Sequence, residues 1–415
     1  MMEAHRSKNS SSFCVASQRH LETRAGRSNT LNYRPFASSF FTPPRPFVLD
    51  DSDASEVWLE LFLDLLFVCV CLKLGSSVKY CAAGLWLHDN WNSSYGNSFV
   101  VFAMFYMSWL HLTGYLNRFY TEDLGHKLIF AVFQLSIVGM TVNVNTAKTD
   151  GDCKIVHAFS NGFAGAFAVS RLVLIFLYSS VVYTLPATRD QFWLQLLTWG
   201  ANIVISLYVA AASDDSVVTA VLMICMVLLE VFAFVHSTTE LNSVVKFNIE
   251  HLNSRTGSFI MLMCGESVIQ LLTPEVDEYE RPSLASANPN LAAEIMNSLS
   301  EHYAFTFLAF LLVFTVALQY FDSEPEHHNH VLMLSIQRSR VWIFLHLALS
   351  FSLLLLGVAF KSVAQHTTTG VLEEDESVLL SVGTAATVIS VTAIRFQHKG
   401  FRLRVFDRRF KSYCL

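Results

Sequence analysis

Two carboxylates stand one helical turn apart inside an apolar run, Trp58-Leu-Glu60-Leu-Phe-Leu-Asp64-Leu-Leu-Phe67. At helical spacing Glu60 and Asp64 share a face with Phe67 and Cys71. In a low dielectric the pair cannot persist as two bare anions: one takes a proton, or a cation sits between or opposite them. That chemistry suits a proton- or cation-handling site. It equally suits a buried structural pair answered by Arg171 or another cation on a neighbouring helix, and the residues alone leave both readings open. A second block repeats the theme, Glu250-His251-Leu-Asn-Ser-Arg255-Thr-Gly257 leading to Gly265-Glu266-Ser267. Arg255 and Glu266 lie about 20° apart round a helix but ~16 Å apart along it, so each needs a partner elsewhere. His251 precedes Arg255 by one turn on the same face, and Gly265 offers a point of close helix approach.

Further polar residues interrupt other apolar runs. Ser108, His111, Tyr115 and Arg118 fall on one helical face that leads towards Asp123, while Arg171 and Glu230 stand in later runs. An ionisable side chain at the centre of a membrane helix costs at least ~2.5–3.5 kcal/mol, so each one needs a reason. Counting Glu60, Asp64, Glu230 and Glu266 against Lys73 and Arg171 leaves an excess of acids, which favours protons or cations over anions as cargo. The candidates for transport or ion binding are therefore Glu60, Asp64, Arg171, Glu230, Arg255 and Glu266. His111, Arg118, Asp123, His251 and His346 are the candidates for a supporting polar network, although His346 taken alone reads as a satisfied core histidine.

The elements that must position these groups are apolar runs too long for a soluble core. The chain has 415 residues, 53% hydrophobic and only 15% charged, with 34 Phe and a mean hydropathy of +0.41. Soluble domains carry about 25% charged residues. Ten runs reach or approach the ~20 residues needed to cross a bilayer: 57–74, 97–116, 128–147, 157–179, 191–212, 217–236, 257–273, 299–321, 340–361 and 377–396. The seventh and tenth are the weakest, and nine is the rival count. None shows the alternation of barrel strands, so an all-α, polytopic transmembrane bundle is expected. Ten spans with both termini cytoplasmic place 21 of the 28 Lys and Arg on internal segments against 5 on external loops, as the positive-inside rule requires.

Residues 1–56 read as a Ser-rich, basic, disordered cytoplasmic tail, 57–396 as the membrane domain, and 397–415 as a basic and aromatic cytoplasmic tail that meets anionic lipid headgroups. Asn92-Ser93-Ser94 is a glycosylation sequon on an expected external loop, where Cys81 and Cys153 also fall, paired or unpaired. Enzyme signatures such as HExxH, GxSxG, the P-loop and GxGxxG are absent, so no catalytic residue, cofactor or metal is expected. Glu326-His327-His328-Asn-His330 reads as a solvated loop. With no basic domain apart from the membrane, nucleic acid is not an expected partner. The bilayer and a proton, cation or small solute are, with the plasma membrane as the location. The oligomeric state is not legible.

Several ordered motifs resemble the bacterial low temperature requirement A (LtrA) family of polytopic membrane proteins. Trp58-Leu-Glu60-Leu-Phe-Leu-Asp64-Leu-Leu-Phe67 is similar to the family's E-L-F-F-D-L-x-F opening. Asn117-Arg118-Phe119 with Glu122-Asp123 and His126-Lys127 is similar to N-R-F-x-x-D-D-x-x-H-R. Ser170-Arg171-Leu172 resembles the arginine of the family's fourth span. His251 to Gly257 with Gly265-Glu266-Ser267 resembles H-x-x-E-R-F-G followed by L-G-E-S. Tyr320-Phe321-Asp322 and Trp342 to His346 are similar to its Y-F-D and W-x-x-x-H elements. The resemblance covers about 55–360. Asn253-Ser254 departs from the glutamate that usually precedes the arginine, Lys127 replaces an arginine, and Glu122 replaces an aspartate. The likeness implies an architecture and one interior network of Glu60, Asp64, Arg118, Arg171, Arg255 and Glu266. It carries no reaction with it. The expected function is transporter- or channel-like, the alternative a scaffold or receptor-like bundle with structural charges.

Overall fold

The computed structural model describes residues 41, 44–46, 58–82, 94–120, 123–144, 161–212, 216–238, 244–272, 289–322, 330–366 and 374–398. Ten long helices occupy this region: α1 Trp58–Ala82, α2 Ser94–Arg118, α3 Leu124–Val142, α4 Asn161–Thr184, α5 Arg189–Ala212, α6 Ser216–Ser237, α7 Ile249–Leu272, α8 Pro289–Phe321, α9 Ile336–His366 and α10 Glu374–Gln397. Each of the ten apolar runs forms one of them. A 3-10 turn, Pro186–Thr188, leads into α5, and a single-turn helix, Val331–Leu334, precedes α9. Two two-residue strands, β1 Arg45–Pro46 and β2 Phe119–Tyr120, pair antiparallel. Thus part of the segment 1–56 is tied to the end of α2, and Phe41 stacks on His126 with ring centroids 4.2 Å apart. The rest of that segment and residues 399–415 lie outside the described residues. So do Asn92, the Cys81 side chain, Cys153 and Glu326 to His328.

The distribution of side chains is inverted relative to a soluble protein. Leu135, Val204, Leu308 and Ile389 are 63–68% exposed, while Arg171 and Arg255 are fully buried. Apolar side chains outside and charges inside match a lipid surround. Eight of the ten helices are long and apolar enough to cross a membrane; the exceptions are α1 and α7. These two carry Glu60, Asp64, Arg255 and Glu266. Charged residues, with Lys73 a third on α1, set these two helices apart from the other eight.

Neighbouring helices pack as two groups, α3–α4–α5–α6 and α7–α8–α9–α10, joined by α1 and α2. Helix α1 touches α3 on one side and α7, α9 and α10 on the other, while α2 reaches α4, α6, α7 and α9. Close approach is set by two glycines at the α1–α7–α9 seam. A Cβ on Gly357 would stand 3.0 Å from the Ser267 backbone, and one on Gly75 3.0 Å from the Gln270 amide. Gly265, expected to serve this purpose, faces outward with nothing within 4 Å. Being next to Glu266 in sequence puts Gly265 about 100° away round the helix, off the buried face.

Both ends of the described chain meet at the same end of the bundle. β1 pairs beside the C-terminus of α2. The His398 ring, just past α10, lies 4.7 Å from His330 and accepts from the Val331 N–H through Nδ1 at 3.2 Å.

Candidate functional site

The first cluster lies between α1, α2 and α7. Arg255 donates through Nη2 to Asp64 Oδ1 at 2.9 Å and to the Glu60 carbonyl at 3.0 Å. Its Nε stands 3.3 Å from Glu60 Oε2. Trp109 Nε1 donates to Asp64 Oδ1 at 2.8 Å. On the loop side, His251 Nε2 lies 3.2 Å from Glu60 Oε2. Asn117 Nδ2 lies 3.2 Å from His251 Nδ1. Asn117 also donates to the Asn248 carbonyl and accepts from its N–H, both at 2.8 Å. The helical spacing of Glu60 and Asp64 lets one planar guanidinium span them. His251, one turn from Arg255, prolongs the same stripe towards the surface.

Helix α7 starts eight residues earlier than its apolar run, at Ile249 rather than 257. Hydropathy stops at the polar stretch His251 to Arg255, yet those side chains are answered by α1 and α2, so the helix runs on through them.

The second cluster lies between α2, α4, α5 and α6. Arg171 pairs with Glu230 through Nε and through Nη2 at 3.1 Å. Nη2 also donates to Ser108 Oγ at 2.9 Å. The Glu230 oxygens further receive Asn202 Nδ2 at 3.0 Å, and His111 Nε2 stands 3.5 Å away. Gln195 Nε2 lies 3.1 Å from His111 Nδ1. Arg171 also lies over the Phe167 ring, 4.1 Å from its centroid. The expectation that Arg171 answers Glu60 and Asp64 is corrected here: Arg171 belongs to Glu230, and Arg255 answers the α1 pair.

The remaining candidates are held separately. Glu266 is buried and accepts from Gln270 Nε2 at 3.1 Å. Asp123 caps α3, accepting from the His126 N–H at 2.8 Å, and its other oxygen lies 2.7 Å from His126 Nδ1. His346 Nδ1 faces the Trp342 carbonyl at 2.7 Å, and its Nε2 meets the Tyr320 hydroxyl at 2.9 Å. A carbonyl opposite Nδ1 requires the proton there, so Nε2 accepts from the tyrosine; His346 is a satisfied core histidine. Arg118 is buried with its guanidinium 3.9 Å from the centroid of Phe247. The expected excess of two acids therefore shrinks. Arg118 and Arg255 join Arg171 in the interior, against Glu60, Asp64, Glu230 and Glu266.

Residues that sequence reasoning passed over complete both clusters, Trp109, Asn117, Gln195 and Asn202, and a fifth, Gln270, serves Glu266. The available signal was an amide or indole within an apolar run, which needs a hydrogen-bond partner for the same reason a charge does.

A helical bundle with apolar exterior and two interior charge clusters defines an integral, multi-pass membrane protein. The family described as Bacterial low temperature requirement A protein (LtrA) matches residues 56–411, and the chain belongs to this family. No curated protein and no solved structure matches it.

Proposed function

We propose that this protein moves protons, cations or a small solute across the membrane, with Glu60, Asp64 and His251 gathered round Arg255 as its proton- or ion-handling site. One observation carries the reading: two buried carboxylates contact a single guanidinium. The missing positive charge is supplied by a proton on a carboxylate or on His251, or by a bound cation. His251 is the group through which it exchanges, since its side chain is 11% exposed while those of Glu60 and Arg255 are 2% and 0%. We infer ten crossings, both termini cytoplasmic and residence in the plasma membrane. The shared position of both described chain ends supports this topology, as does the clustering of Arg118, Lys246 and Arg340 near that end.

A second reading, a non-transporting bundle whose charges fix helix register, is favoured by the Arg171–Glu230 cluster, where both carboxylate oxygens are engaged. Buried polar groups in that role are known in some systems. Flux in proteoliposomes separates the two, read with a pH-sensitive dye and a panel of monovalent and divalent cations. Transport that vanishes in Asp64→Asn, while the variant still unfolds cooperatively, upholds the site. Wild-type flux in that variant sinks it. Silence of the native protein across the panel removes protons and those cations as cargo.

A further inference from the structure

Where α2 and α6 end and α7 and α9 begin, the helices form a half-open cavity of about 520 Å³. Sites for small molecules commonly span ~300–1,000 Å³. Among the described residues its lining contains three cations, Arg118, Lys246 and Arg340, and no carboxylate. Most of the remaining wall is apolar, with Phe247, Leu252 and Ile343 prominent.

Arg118 is only 2% exposed, and its Nε has no hydrogen-bond partner. Its contacts are the Phe247 and Phe192 rings, at 3.9 and 5.3 Å, and the Tyr178 hydroxyl. Arg340 donates through Nε to Thr238 Oγ1 at 3.1 Å, leaving Nη2 buried and without a partner. A buried guanidinium without an anion is costly, so counter-charge from outside the chain is the economical solution. The first residues of α7 and α9, Ile249 and Ile336, also line it; the positive ends of these two helix dipoles are offset by the negative ends of α2 and α6, so the three side chains carry the site's positive charge.

The wall is held in place before any ligand arrives. Gln191 accepts from the Val244 and Val245 N–H groups at 3.0 and 3.1 Å and donates to the Val245 carbonyl at 3.1 Å. Asn117 clamps Asn248 on both backbone groups. Lys246 and Phe247 lie between these two fixed points.

We propose that this cavity binds a phosphate group carried on an apolar body, with the phosphate on Arg118 and Arg340 and the body against the Phe247 and Ile343 wall. Two guanidinium forks match phosphate oxygens. Three cationic side chains exceed the single charge of a carboxylate and suit a dianion. The same chemistry is carried by a phospholipid headgroup and by a soluble phosphate ester. The site stands apart from the carboxylate cluster and does not depend on its carrying protons.

The test is isothermal titration calorimetry on the full-length protein in a neutral maltoside detergent. The probes are dihexanoyl phosphatidic acid, glycerol 3-phosphate and, as the control for a headgroup without net charge, dihexanoyl phosphatidylcholine. Saturable one-to-one binding of phosphatidic acid but not phosphatidylcholine is expected, weakened about tenfold or more in Arg340→Gln. Lys127→Gln, a basic residue on α3 outside the cavity, should leave it unchanged. Glycerol 3-phosphate binding as tightly as phosphatidic acid assigns the site to a soluble ester, and binding of phosphatidic acid alone assigns it to lipid. No saturable binding of either phosphate, or an equal loss in Lys127→Gln and Arg340→Gln, overturns the proposal. Arg340 is only half-buried, and equal melting temperatures of the variants confirm that the comparison is between folded proteins.

Discussion

Arg255→Gln should be far more damaging than Asp64→Asn, although the two side chains are direct partners. Arg255 meets Asp64 Oδ1 at 2.9 Å, the Glu60 carbonyl at 3.0 Å and Glu60 Oε2 at 3.3 Å. Its removal leaves two buried carboxylates facing only His251, and loss of one partner of a buried ion pair costs about 3–5 kcal/mol. Asp64→Asn retains an oxygen for Trp109 and Arg255. It trades charge-assisted hydrogen bonds for neutral ones, a difference of about 1 kcal/mol, and leaves one anion per guanidinium. The double variant Asp64→Asn/Arg255→Gln removes both one anion and the cation, and should recover about 1–3 kcal/mol of the arginine loss as a coupling term. The assay is thermal unfolding of the protein in nanodiscs, followed by tryptophan fluorescence at one scan rate, because unfolding here is treated as a rate process. If Asp64→Asn costs as much as Arg255→Gln, Asp64 is the sole counter-ion of the arginine. The cluster then has no surplus negative charge, and the argument for proton or cation demand collapses with it.

Gly357→Ala should lower stability by about 1–3 kcal/mol, because its Cβ would press on the Ser267 backbone from 3.0 Å and overpacking carries that cost; Gly265→Ala should be neutral, and matched melting curves decide. A pH dependence is expected from His398, whose imidazole is pushed down to about 4, first by burial and then by the neighbouring His330. Its unfolded value is about 6.5, so between pH 6.5 and 4 the unfolded chain binds the extra proton. The stability it confers is complete above ~6.5 and falls as pH drops towards 4, by about 1 kcal/mol once solvent screening of this half-exposed group is counted. His398→Gln should flatten that part of the melting-temperature profile between pH 7.5 and 4.5, and superimposable profiles would count against the assignment.

The ten helices were legible because each contains a long apolar run. Their pairing was not, since lipid-facing and core-facing Leu, Val and Phe look alike in sequence. The cluster on α1 was legible as a problem, two carboxylates at i and i+4, but not as a solution. Arg255 lies 191 residues from Asp64, and no spacing rule distinguishes it from Arg171 as the counter-charge. Gly265 was misleading for a related reason: small residues mark close approach only if they face a neighbour, and the facing residue proved to be Gly357 on α9. Trp109 escaped notice because an indole in an apolar run scores as hydrophobic, whereas its N–H is a donor that must be satisfied.

Helix α2 gives the two clusters a common mechanical element. Trp109 binds Asp64, while the adjacent Ser108 and, further along the helix, His111 and Tyr115 reach Arg171, Glu230 and His126. Adjacent residues on a helix point about 100° apart, so this single element faces the α1–α7 charges on one side and the α4–α6 charges on the other. Asn117 adds the link to His251, and Arg118 ends the helix in the cationic cavity. A displacement of α2 large enough to release Asp64 from Trp109 also strains Arg171 against Ser108, because the two donors and acceptors share one rigid backbone segment. The second cluster, with Glu230 engaged at both oxygens, therefore acts on the first as a restraint. A structural role for Arg171 and Glu230 and the role proposed for Glu60 and Asp64 are then complementary: the closed pair holds α2, whose Trp109 donates to the open pair's Asp64 on α1.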